Sequence, residues 1–175
     1  AAPCLLAEKI VRAIPAATIA KVQQRAAANG LTLNAVFLGT LASLLHRSSG
    51  QKTFALSQTY IGRRLDQLDA VGSFSTDAPM LFSFAEGTSV VATCQHALRE
   101  TQRMLALDGI ASSSPAPTAS WELNDVRPIP KPARPSGVPR GRPLKLVDLF
   151  FMCVQYADGW DAILQIGRAS CRERV

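Results

Sequence analysis

The run from Thr32 to Gly50 constrains the fold more than any other part of the chain. Leu33, Val36, Phe37, Leu41, Leu44 and Leu45 recur at helical spacing, and Leu38 and Ala42 widen the stripe until little polar surface remains. The spacing predicts a helix opened by Thr32, whose hydroxyl can accept from an otherwise unpaired backbone N–H, and closed by Ser48-Ser49-Gly50. A helix this apolar draws its stability from what packs on it rather than from its own propensity. Other elements must therefore cover it on most sides.

The flanking sequence supplies those elements. Leu6 to Ile14 alternates around Ile10 and Val11 and reads as a strand. Pro15 suits the first turn of a helix, in which Ile19, Val22 and Ala26 form the apolar face, Gln23, Gln24 and Arg25 the wet one, and Asn29-Gly30 the stop. Thr53 to Ile61 reads as a strand through Phe54, Leu56 and Tyr60, leaving by Gly62-Arg63-Arg64. Ala78 to Ala85 gives the next strand, with Ser73 to Thr76 as the loop before it. Val90 to Leu107 follows as a helix with Val91, Leu98 and Leu105 on one side and Arg99, Gln102 and Arg103 on the other. Leu146 to Val154 is nearly continuous apolar sequence, as in a strand covered on both faces. Asp158-Gly159 offers a turn into a last strand, Trp160 to Ile166. Strands and helices thus mix, which points to an α/β or α+β layered lobe with a mixed sheet flanked by helices.

The 175 residues, 47% hydrophobic and 18% charged, suit one domain or one lobe of a larger one. No apolar run reaches the roughly 18 residues of a membrane span, and no signal-peptide layout opens the chain. It starts at Ala1, which fits a cytoplasmic protein entered mid-sequence. Residues 166–175, Ile166-Gly167-Arg168-Ala169-Ser170-Cys171-Arg172-Glu173-Arg174-Val175, resemble a one-frame translation of a sequencing adapter; the alternative is a natural basic tail. Without that tail the formal charge falls from +6 to +4, and the lobe is expected to occupy residues 1–165. Eight of the eleven prolines lie in 115–143, and Arg127, Lys131, Arg134, Arg140, Arg142 and Lys145 follow with no acid among them. That composition predicts an extended basic loop, without the interleaved aromatics expected of a nucleic-acid surface. Cys4, Cys94 and Cys153 stand far apart, so buried reduced thiols are expected rather than a disulfide framework or a zinc site.

Searches for chemistry find little. The sequence holds no phosphate-cradling loop, dinucleotide fingerprint or nucleophile elbow. His46 and His96 are the only histidines, one at the end of the second helix and one within the third, and each is expected to be structural or surface-exposed rather than a general base. Asp66 and Asp69 fit a solvated cluster beside Arg63-Arg64 better than paired acid–base work.

One stretch is more specific. Leu41, Leu44, Leu45, Arg47, Gly50 and Gln51, then Gly62-Arg63, then Val71-Gly72-Ser73-Phe74 follow the order of the pattern L-x-x-x-L-L-x-R-x-x-G-Q, G-R, V-G-x-F, with one residue fewer between Leu41 and Leu44. In this the chain resembles the C-terminal lobe of a condensation domain, the acyl-transferring module of nonribosomal peptide synthetases and a relative of chloramphenicol acetyltransferase. It departs from the pattern after Phe74, where Ser75-Thr76-Asp77 replaces V-N-T, and Ala111-Ser112-Ser113-Ser114-Pro115 stands where Q-D-x-P-F-E is usual. Phe150-Phe151-Met152-Cys153-Val154 echoes the F-Q-V-M-F-like strand of the family only loosely.

The resemblance implies half of a tunnel wall rather than a catalyst. The H-H-x-x-x-D-G motif, whose second histidine positions or deprotonates the attacking amine, belongs to the other lobe, and no such motif occurs here. No residue of this chain is expected to be catalytic and none to bind a metal. Ser57, Thr59, Arg63, Ser73, Ser75 and Thr76 are the implied channel contacts. No cofactor is expected to bind directly; the substrates would arrive on phosphopantetheine arms, with carrier domains and the N-terminal lobe as partners. Two alternatives stand: an ester-forming acyltransferase of the same superfamily, or a non-enzymatic α/β module whose basic loop docks an acidic partner. The reading frame upstream of Ala1 separates them: the condensation reading expects it to encode H-H-x-x-x-D-G. A natural start codon immediately before Ala1 would contradict that expectation.

Overall fold

A computed structural model describes residues 8–61, 75–106, 119–129, 149–157 and 159–166. Among them the chain forms β1 (Glu8–Ile14), α1 (Ala16–Ala28), α2 (Leu33–Ser49), β2 (Thr53–Ile61), β3 (Ser75–Ser83), α3 (Val90–Ala106), β4 (Ala119–Ile129), β5 (Leu149–Tyr156) and β6 (Gly159–Ile166). They fall into two compact units, Ala1–Ala20 with Pro117–Val175, and Lys21–Ala116. This is the mixed α+β architecture that the alternation of patterns predicts.

The helix ends form as their sequences dictate. Gly30 adopts a left-handed φ of 63°, which lets Leu31 N–H reach the Ala26 carbonyl at 2.9 Å and Gly30 N–H the Ala27 carbonyl at 3.1 Å. Those two bonds satisfy carbonyls that the end of α1 would otherwise leave unpaired. Thr32 is extended and accepts from Ala35 N–H at 3.1 Å, capping α2. At the other end Gly50, at φ 72°, donates to the His46 carbonyl.

In the second unit α2 packs along α3 at very short range. A Cβ added at Gly39 would stand 2.6 Å from Cys94 Cα and 2.7 Å from Cys94 N, so only glycine fits there. Ala35, Leu38, Gly39 and Ala42 are all buried on α2; Thr93, Cys94, Ala97 and Met104 are buried on α3. The contact face of α3 is therefore not the one expected from its large side chains. Val91 and Leu105 remain 46% and 56% exposed, because close approach selects the small residues Cys94 and Ala97 instead. Leu44 is likewise 57% exposed, since α2 turns Ala35, Leu38 and Ala42 to its neighbours.

Strands β2 and β3 make an antiparallel hairpin, with Thr53 opposite Ser83 and Ile61 opposite Ser75. Its register separates two sets of positions. Phe54, Leu56 and Gln58 with Met80 and Phe82 belong to the helix-facing set, and Thr101 of α3 and the rings of His46 and His96 meet them or Phe84 there. Ala55, Ser57 and Thr59 with Leu81, Pro79 and Asp77 form the opposite set. Pro79 lacks an N–H and is tolerated where its side of the ladder needs none. Strand β3 begins three residues earlier than the Ala78 start expected, at Ser75, because the pairing with Tyr60 and Ile61 continues that far. Ser75 and Thr76 are thus strand residues, not loop.

In the first unit the strand order is β1-β6-β5-β4. β6 is antiparallel to both β1 and β5, while β4 runs parallel to β5. Phe150, Trp121, Cys153, Val154 and Trp160 are buried here, in line with the covered strand expected at 146–154. β4 corrects the expected loop at 115–143 over Ala119–Ile129. Trp121, Leu123 and Val126 favour extended pairing, and of the eight prolines in the run only Pro128 falls within the strand. It lies in the stretch between Asn124 and Ile129 over which the register with β5 shifts. Ile166 closes β6 opposite Glu8 and Leu149, and residues 167–175 of the expected tail lie outside the described residues.

Gly39→Ala is predicted to lower stability by about 2 kcal/mol in urea unfolding, although alanine gains about 1 kcal/mol in helix propensity. Adding Cys94→Ala should not restore it, because the clash is with Cys94 backbone atoms. Unchanged stability in Gly39→Ala would contradict the packing described. Thr32→Ala should cost about 1 kcal/mol through the lost cap.

Candidate functional site

The hairpin face opposite the helices gathers part of the predicted site. Ser57 is buried and Thr59 is half-buried, two residues apart and so on the same side of β2. Thr59 donates its hydroxyl to the Asp77 carboxylate at 2.6 Å, directly across the ladder. Sequence reasoning missed Asp77 because it placed Asp77 before the strand; starting β3 at Ser75 would have put it opposite Thr59. Ala55, Pro79 and Leu81 give the same face an apolar end, with Leu81 57% exposed. Ser75 is placed opposite Ile61 and Thr76 opposite Tyr60 by the register. Arg63 and Ser73, with the Gly62-Arg63 and Val71–Phe74 motifs, lie outside the described residues.

The helix side holds this hairpin in place. Gln58 is buried, and its side-chain carbonyl accepts from the Thr101 hydroxyl at 3.2 Å, tying β2 to α3. His46 stacks on Phe84 with centroids 4.3 Å apart, and its Nδ1 lies 2.7 Å from the Gln51 carbonyl oxygen. His96 meets the edge of Phe82 at 5.4 Å, with Nε2 2.8 Å from the Leu81 carbonyl oxygen. A carbonyl only accepts, so each of these ring nitrogens carries a proton and donates. Both histidines are thereby committed to holding α2, α3 and the hairpin together. Of the two roles expected, structural or surface-exposed, the contacts of both rings are those of the structural one.

The cysteines are equally removed from chemistry. Cys94 and Cys153 are free and buried, as expected. Burial raises the Cys94 thiol above its ordinary value, opposed by a hydrogen bond from Thr40, and pushes Cys153 up from 9.0 to about 12. A thiol held neutral is not a nucleophile at neutral pH.

Comparison with solved structures shows what this arrangement is similar to. A four-domain nonribosomal peptide synthetase in its holo form, bound to AMP and glycine, superposes with a TM-score of 0.76 at 16% identity, over 94% of this chain and 15% of that one. The first condensation domain of the calcium-dependent antibiotic synthetase, with a substrate analogue, gives 0.70 at 17% identity, over 94% of this chain and 41% of that one. The chain has the fold of a condensation-domain lobe. An epimerization domain from the third module of tyrocidine synthetase B shares the fold, with a TM-score of 0.68 at 10% identity, over 93% of this chain and 42% of that one. The lobe therefore spans about two-fifths of the length of such domains. No protein-family model matches the sequence, and neither does any curated protein. Among the described residues no single helix is long and apolar enough to cross a membrane.

Cys153 should leave a signature in alkali. The unfolded thiol ionises near 9.0 and the folded one near 12, so its contribution to stability is present below pH 9.0 and is lost as pH rises toward 12. Cys153→Ala is expected to flatten the fall in unfolding free energy between about pH 9 and pH 11. An unaltered slope would contradict a buried, neutral thiol.

Proposed function

We propose that the chain is the C-terminal lobe of a condensation-type acyltransferase, one that joins a carrier-bound acyl thioester to an amine and forms an amide. The observation that carries this reading is the superposition of 94% of the chain on 41% of a condensation domain, the extent of one lobe. The amide product is the reading in keeping with the nonribosomal peptide synthetases among the structures of this fold. Because an epimerization domain shares the fold, the fold does not choose the reaction, and ester formation from an alcohol acceptor is the alternative to be tested.

In this reading the chain's residues do no proton transfer. Both histidines donate to backbone carbonyls and Cys94 and Cys153 are neutral; the resemblance to condensation domains implies that a histidine of the other lobe takes the acid–base step. The hairpin supplies a wall. Its apolar end, Ala55 and Leu81, can lie against an acyl chain or the methylenes of a phosphopantetheine arm, while Ser57, Thr59 and Asp77 offer hydrogen-bonding groups beside them. Arg63, Ser73 and Ser75 extend the proposed contact set, while Thr76, opposite Tyr60, falls in the helix-facing set and is left out of it. Much of the rate would come from holding two thioester-borne groups in orientation, a task worth several kcal/mol of the barrier when geometry is tight. Carrier domains and the N-terminal lobe are the partners, in a cytoplasmic synthetase, and the phosphopantetheine belongs to the carriers.

The test uses acyl-loaded carrier and an aminoacyl-loaded carrier, with amide formation read by mass spectrometry. The 175-residue chain alone should give no product, and the parent carrying the preceding lobe should give amide and no ester from a hydroxyacyl acceptor. Turnover by the isolated chain would contradict the assignment. In the parent, Thr59→Val should lower kcat/KM roughly fivefold, the equivalent of about 1 kcal/mol for one hydrogen bond, whereas Leu44→Ala should leave it unchanged.

A further inference from the structure

We draw no further inference here: the strongest candidate, the apolar stripe that Val91, Leu98 and Leu105 draw along the outer flank of α3, is an unpartnered helix face, and nothing in the structure shows what covers it.

Discussion

The approach of α2 to α3 at Gly39 is the constraint on which the second unit depends. With Cys94 Cα within 2.6 Å of where a Cβ would sit, the two helices meet backbone to backbone. The Cys94 thiol donates to the Val36 carbonyl at 3.7 Å, so the crossing is sealed by a bond as well as by shape. That closeness fixes where His96 and Thr101 stand on α3, and through them where β3 and β2 lie. One face of the hairpin is consumed by packing. The other is left for Ser57, Thr59 and Asp77.

A division of labour follows within a single two-stranded element. On the helix side, aromatic contacts run from His46 through Phe84 to Phe54 and Phe82, and every polar group there serves the scaffold. On the far side the residues are smaller and more polar, and Thr59 bonds Asp77 across the two strands. Asp is disfavoured in strand interiors, and this one is held by the Thr59 hydroxyl across the ladder.

The local grammar of this chain was readily legible. Thr32, Gly30 and Gly50 mark helix ends by chemistry that operates within a few residues, and the β2 bounds, Thr53–Ile61, match the alternating pattern. What depends on distant partners was not legible. The buried side of α3 is chosen by Gly39, some fifty residues earlier in the chain, so the side with Val91 and Leu105 looked like the core and is not. β4 was hidden because its pairing with β5 overrides the loop signal of the surrounding prolines. Ser57 and Thr59 fall on the strand expected for them because strand periodicity is local, whereas the position of Asp77 required the cross-strand register. The motifs at 62–63 and 71–74 carried the family resemblance and lie outside the described residues.

The central claim is that the hairpin's far face meets the substrate arm. Its most direct measurement is an amide-resolved NMR titration of the chain with S-acyl pantetheine. Shift changes should map to Ser57, Thr59, Asp77 and Leu81 and should weaken in Thr59→Val. Changes confined to the helix-side residues Gln58, His96 and Thr101, or none on the hairpin at all, would contradict it.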